Sequence, residues 1–250
     1  MERVNQNQGK VLCILQARMG SRRLPGKVLL QVQGVPLLER EAKRIKRART
    51  VDKIVIATTT NKEDDAIENL AKRIGVDCFR GSEKDVLDRY YQCALSYPEF
   101  FSIVRVTGDC PLIDPAVIDQ VVSLFQKGSF DYVSNIEIGK ETFPNGMDVE
   151  VLTRKTLEEI AAKATLASER EHVTLFIRRN KEKFKNVNVD APADFSQFRL
   201  TVDYPEDFEV VKFVIEHSPE DASYIDYVSL LKKHPEIMKK NMPFRRNENI

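Results

Sequence analysis

Short apolar runs alternate with stretches of helical periodicity along most of this 250-residue chain, and few architectures accept that order. Residues 11–15 (Val-Leu-Cys-Ile-Leu), 53–58, 76–79 and 101–106 read as buried strands. Between them, a helix is expected from Pro36 to about residue 48, and a second is capped by Asn61. The second carries Ala66, Ile67, Leu70, Ala71 and Ile74 on one face and is ended by Gly75. Ser82 is placed to cap a third helix through about residue 96, and Asp114-Pro115 opens a fourth with Val117, Ile118, Val121, Val122 and Phe125 inward. Parallel strands need such crossovers, so the order predicts a mainly parallel sheet covered by helices on both faces. The loops after the strands then gather along one edge, where ligands bind.

Beyond Phe130 the alternation loosens. Residues 131–136, 147–152, 184–190 and 198–202 read as strands, with helices from Thr153, from Ser168, through residue 216 and from Ser223. The expected organisation is a flexible tail over residues 1–9, one domain over 10–240 and a frayed charged tail over 241–250.

The loop leaving the first strand, Ala17-Arg-Met-Gly-Ser-Arg-Arg-Leu-Pro-Gly-Lys27, concentrates positive charge. Arg18, Arg22, Arg23 and Lys27 are interleaved with Gly20, Ser21 and Gly26 rather than set on a periodic face. Guanidinium forks, an ammonium and backbone amides freed by glycine suit a polyphosphate; the alternative is a solvated basic turn. The spacing is neither the phosphate loop of ATPases nor the dinucleotide fingerprint.

A polyphosphate site uses a divalent cation, which takes oxygen ligands and often only one or two carboxylates. Asp109 follows the strand 101–106 in the run Thr107-Gly-Asp-Cys-Pro-Leu-Ile113, and Asp203 follows Leu200-Thr-Val. The first is read as a metal ligand against a turn aspartate bonding its own backbone, the second against a helix N-cap before Pro205. Of two polar clusters, residues 145–150 offer the amide and carboxylates of Asn145, Asp148 and Glu150 for substrate hydroxyls, and residues 168–173 place Glu169, Arg170 and His172 on the opening turns of a helix. A hairpin turn and a helix start favoured by its dipole account for the same residues.

With 39 basic and 38 acidic side chains the net charge is +1, which argues against nucleic acid or acidic lipid as a partner. Cys13, Cys78, Cys93 and Cys110 are scattered singly, so they are expected reduced, without a zinc site. The first ten residues are too polar for a secretory signal, and no apolar stretch has the length of a membrane span. A cytoplasmic protein is expected.

The run 17–27 together with 107–113 resembles the cytidylyltransferases that activate sugar acids, the superfamily of CMP-KDO and CMP-sialic acid synthetases. Residues 145–150, 169–174 and 200–207 extend the resemblance, in order, to the branch called spore coat polysaccharide biosynthesis protein F. It runs from about residue 10 to residue 216 and implies a three-layer α/β/α sandwich of the glycosyltransferase A type. It implies CTP as substrate, with Ala17, Arg18, Gly20, Ser21, Arg23, Lys27 and Gly108 around its phosphates and Arg80 and Ser82 near base and ribose. Mg2+ would be held by Asp109 and Asp203, and Arg18, Lys27, Asp109 and Asp203 would serve the transfer of CMP to a sugar acid or sugar phosphate. By their own polarity and position, rather than by the likeness, Asn145, Asp148, Glu150, Arg170 and His172 are expected to meet the acceptor. A dimer arm near residues 136–170 and a homodimer follow from the same likeness. The rivals are a glycosyltransferase that consumes a nucleotide sugar, disfavoured by the missing Asp-x-Asp at a strand end, and a nucleotide-binding protein that has lost catalysis.

Overall fold

The computed structural model describes residues 9–137, 139–244 and 246. Strand β1 (Val11–Gln16) is apolar on both faces because both faces are covered: Cys13 and Leu15 enter one core, Leu12 and Ile14 the other. A two-residue hairpin, β2 (Gln31–Val32) and β3 (Val35–Pro36), follows the basic loop. Helix α1 (Leu37–Ile45), strand β4 (Lys53–Thr59), helix α2 (Asp65–Arg73), strand β5 (Asp77–Gly81), helix α3 (Val86–Leu95) and strand β6 (Ser102–Thr107) complete the alternating half. Here β1 pairs in parallel with β4 and β6, and β4 with β5.

After helix α4 (Pro115–Lys127) come strands β7 (Tyr132–Ser134) and β8 (Glu150–Thr153), helices α5 (Arg154–Lys163), α6 (Ala167–Glu171) and α7 (Leu175–Arg179), and strand β9 (Asn186–Asn188). Helices α8 (Pro205–His217), α9 (Tyr224–Lys233) and α10 (Pro235–Met238) are the last helices among the described residues. The seven-stranded sheet has the order β5-β4-β1-β6-β8-β7-β9, with β8 antiparallel to both neighbours. Helices α1, α2, α4, α8 and α9 pack on one face, and α3, α5 and α7 on the other. The expected three-layer mixed α/β sandwich is what the chain forms. Because β8 runs backwards, its first residue Glu150 lies at the same sheet edge as the ends of β6 and β7.

Several boundaries differ from the sequence reading. Residues 198–202 form no strand: they pair with loops, through an isolated bridge of Arg199 with Asn145 and a bond from Val202 N–H to the Asp109 carbonyl at 2.8 Å. Helix α3 is capped by Asp85, whose carboxylate accepts Asp88 N–H at 2.9 Å, while Ser82 Oγ accepts Asp85 N–H one turn earlier. Asn61 makes no side-chain cap and leads into a 3-10 turn over Lys62–Asp64. Residues 150–163 of the stretch assigned to a dimer arm are β8 and α5, inside the sandwich. The tail expected to fray from residue 241 is docked where it is described: Asn241 is buried, and its amide donates to Asp207 and to the Arg199 carbonyl, both at 3.0 Å. The four cysteines are unpaired, as expected. Residues 1–8 of the assigned N-terminal tail lie outside the described residues.

Candidate functional site

The ends of β1 and β6 are adjacent in the sheet, and their loops are pressed together. Gly108 N–H donates to the Gln16 carbonyl at 2.7 Å, and a Cβ on Gly108 would come within 3.0 Å of that carbonyl and of Ala17 Cβ. Glycine here is what lets the Asp109 loop approach the basic loop.

The basic loop is anchored from below by Asp64, 1 % exposed, whose carboxylate accepts Met19 N–H at 2.7 Å as well as the hydroxyl of Thr59. The Met19 carbonyl in turn accepts from Ser21 and Gly26 N–H, which curls the loop back over the sheet edge. Lys27 then lies in a 3-10 turn that buries its stem and delivers its ammonium between two carboxylates. Nζ is 2.9 Å from Asp109 and 2.8 Å from Asp203. Arg23 adds a bond to Asp203 at 2.6 Å and lies over the Tyr204 ring at 5.0 Å.

Each carboxylate is held from behind. Thr107 donates its hydroxyl to Asp109 at 2.7 Å, and Arg199 spans Asp203 at 3.0 Å and the buried Asp207 at 2.7 Å. Asp207 also accepts the N–H groups of Asp203 and Tyr204, so the turn before α8 is fixed by one side chain. Burial acts to raise the Asp109 carboxyl, but the Lys27 ammonium and the Thr107 hydroxyl outweigh it and hold it at about 2. The same two aspartates outweigh burial at Lys27 and raise its ammonium above the ordinary lysine value. Three cations (Lys27, Arg23, Arg199) therefore face three carboxylates (Asp109, Asp203, Asp207), and the charges of these six groups balance.

Two carboxylate oxygens close enough to share one ammonium are also placed to share a small divalent cation. Among the described residues no group of three or more His, Cys, Asp or Glu side chains forms a cage. That donor set suits a hard cation that takes most of its ligands from phosphate and water.

The other residues singled out in the sequence divide. Arg18 is half-buried at this edge, Ala17 is buried in the strand end, and Ser21 accepts Leu24 N–H. Gly20 lies near the Glu63 and Glu83 side chains. Arg80, at the end of β5, bonds to Asp65 and Glu68 of α2 and to the carbonyls of Thr59 and Asn61, which ties β5 to α2 and to the end of β4. Glu150 is 1 % exposed and bonded by Arg105, by Thr174 and, at 2.5 Å, by the Tyr132 hydroxyl. Arg170 reaches Asp85 at 2.7 Å and the carbonyls of Ala161 and Ala164, tying α6 to the loop before α3.

Asn145 is held through its backbone to Phe198 and Leu200, and next to it Gly146 has φ +103°, with its missing Cβ 2.7 Å from backbone atoms of Leu200 and Thr201. Asp148 pairs with Arg246. His172 is half-buried and precedes Val173, a buried β-branched residue at φ +49°, which is a strained position of the kind found beside functional sites.

Sequence reasoning missed Asp64, Arg199, Asp207, Arg246 and Glu41. The last is a fully buried glutamate of α1, driven far above the carboxylate range by burial and by the nearby Asp109. The Thr201-Val-Asp-Tyr-Pro-Glu-Asp207 run held the signal for Asp207, since an acid at the third helical position reaches back to the N-cap. Cys110 is buried, and burial with the Asp109 charge raises its thiol far out of the nucleophilic range.

Comparison with known proteins gives a consistent picture. The model of the cytidylyltransferase family matches residues 12–250. The spore coat polysaccharide biosynthesis protein SpsF of Bacillus subtilis is 35 % identical over 237 residues, 90 % of this chain and 95 % of that protein. An 8-amino-3,8-dideoxy-manno-octulosonate cytidylyltransferase of Shewanella frigidimarina is 26 % identical over 188 residues, 73 % of this chain and 70 % of that one. The solved structure of a cytidylyltransferase from Leptospira borgpetersenii superposes with a TM-score of 0.87 at 37 % identity, covering 97 % of this chain and 99 % of that one.

Proposed function

Because this chain belongs to the cytidylyltransferase family, we propose that it transfers CMP from CTP to a sugar acid or sugar phosphate and releases pyrophosphate. The spore coat polysaccharide relative and the octulosonate relative support an acceptor of the surface-carbohydrate class. The observation that carries the reading is Lys27 bridging Asp109 and Asp203. A scaffold with no ligand to bind gains little from collecting six charges, five of them buried or half-buried, at one sheet edge.

In this reading the triphosphate competes with the aspartates for Lys27 and Arg23, and Arg18 and the loop backbone add to the cradle. Asp109 and Asp203, released from the ammonium, would hold Mg2+, which supplies positive charge against the triphosphate. An acceptor hydroxyl oxygen, or the phosphate oxygen of a sugar phosphate, bonds to the α-phosphorus in line as the bond to the pyrophosphate oxygen breaks, and a hydroxyl nucleophile gives up its proton to solvent. Lys27 stabilises charge developing on the leaving pyrophosphate. Asp148 and His172 lie on the acceptor side. The reading includes a homodimer, which light scattering of the purified chain tests: the mass of two chains supports it, and that of one chain removes it.

The activity itself is tested by pyrophosphate release with Mg2+, each of the four nucleoside triphosphates, and a panel of sugar acids and sugar phosphates. Release confined to CTP and one acceptor, lost at least about 100-fold in Asp109→Asn, is the expected result. Transfer of sugar from a nucleotide sugar, with no pyrophosphate release from any triphosphate, would replace this reading with a glycosyltransferase.

A further inference from the structure

The C-terminal segment crosses the same edge on its acceptor side. Phe244 stacks on Tyr204 at 4.0 Å, one residue from Asp203 and beside Arg23. Two residues on, Arg246 pairs with Asp148 and reaches toward the Phe143 carbonyl at 3.4 Å. The Arg246 side chain is only 16 % exposed. A mostly buried guanidinium needs hydrogen-bond acceptors, and a carboxylate that takes two of its N–H groups is the strongest acceptor it can meet.

Its present partner is a poor long-term one. Burial raises the Asp148 carboxyl, and the nearby Glu150 and Asp109 charges add to that, with Arg246 opposing them. The segment does not need this pair for docking, because Asn241 and Phe244 already anchor it. The pair repeats on the acceptor side what Lys27 does on the nucleotide side, where an internal carboxylate neutralises a cation that a ligand can claim.

We propose that Arg246 binds the carboxylate of an acidic acceptor, and that Asp148 is the internal counter-ion which that carboxylate displaces. The inference rests on the transfer reading above and narrows its acceptor to a sugar acid. A planar guanidinium fork matches a carboxylate in two parallel bonds. Arg246 touches the substrate in this account but takes no part in bond making.

Isothermal titration of the full chain decides the matter with four probes: 3-deoxy-manno-octulosonate, N-acetylneuraminate and the methyl ester of each. At least one acid binds the wild-type chain, and its ester binds far more weakly. Arg246→Gln weakens that acid by about 10- to 100-fold, the loss expected for a charge-assisted pair, and Arg246→Lys recovers part of it. Asp148→Asn removes the competitor and tightens the acid several-fold.

The opposite signs of the two variants separate ligand binding from a structural latch, whose breakage from either side would weaken binding alike. Equal weakening by both variants overturns the proposal, as do esters that bind as well as acids, a wild-type chain that binds neither acid, or a panel in which only sugar phosphates are consumed. CTP titrated into the same samples separates the two readings. CTP affinity is unchanged in Arg246→Gln, and a wild-type chain that fails to bind CTP defeats the transfer reading itself.

Discussion

Lys27 and Glu41 lie on either side of Asp109 in charge terms, and they oppose each other. Lys27 holds the Asp109 carboxyl down at about 2, so the stability this group contributes is complete above its unfolded value near 3.8 and is lost as pH falls toward 2. Glu41 has the contrary sign. Its carboxyl is raised in the fold and ordinary in the unfolded chain, so stability falls as pH rises above about 4.5, at up to about 1.4 kcal/mol per pH unit. Glu41→Gln cannot ionise and keeps the neutral shape. Urea unfolding should therefore show the variant gaining on wild type from pH 5 to pH 8, and a constant difference between the two would mean that Glu41 is ionised in the fold. Lys27, Asp109 and Asp203 stood out in the sequence because glycine, proline and strand ends marked their loops. Arg80, Glu150 and Arg170 stood out for the same polarity, yet their charges are consumed by Asp65 and Glu68, by Arg105, and by Asp85. Periodicity carries no information about such partners.

Elements were legible where both faces are covered or where a cap is local. Strands β1, β4 and β6 and helices α2 and α4 declare themselves by apolar runs and stripes. Residues 198–202 look equally apolar, but their hydrogen-bond partners are the loops at Asn145 and Asp109, which no pattern in the segment reveals. The start of α3 differs for another reason: Ser82 and Asp85 are both cap residues, and it is Asp85 that accepts the Asp88 N–H in the first helical turn while also pairing with Arg170 of α6, a partner no local pattern reveals. Asp85→Ala removes the cap and that pair together. It should cost about 1–2 kcal/mol in thermal unfolding, whereas Ser82→Ala should cost less. Equal losses would mean that Ser82 sets the helix start.

At the scale of the whole molecule, two cores grip one sheet, and the loops that follow β1 and β6 meet at one edge. That architecture followed from the strand and helix order. The C-terminal segment did not, because its anchors Asn241, Phe244 and Arg246 meet residues about 34 to 98 positions away. The edge brings the β1 loop, the β6 loop and the segment before α8 together so that one ammonium covers two carboxylates from three parts of the chain. Manganese binding, followed by electron paramagnetic resonance in the presence and absence of CTP, probes that arrangement most directly. Lys27→Met should bind Mn2+ about tenfold more tightly than wild type when CTP is absent, because a competing charge is gone, and Asp109→Asn should bind it poorly in both conditions. Equal Mn2+ affinity in the wild-type, Lys27→Met and Asp109→Asn chains would contradict a cation site beneath Lys27.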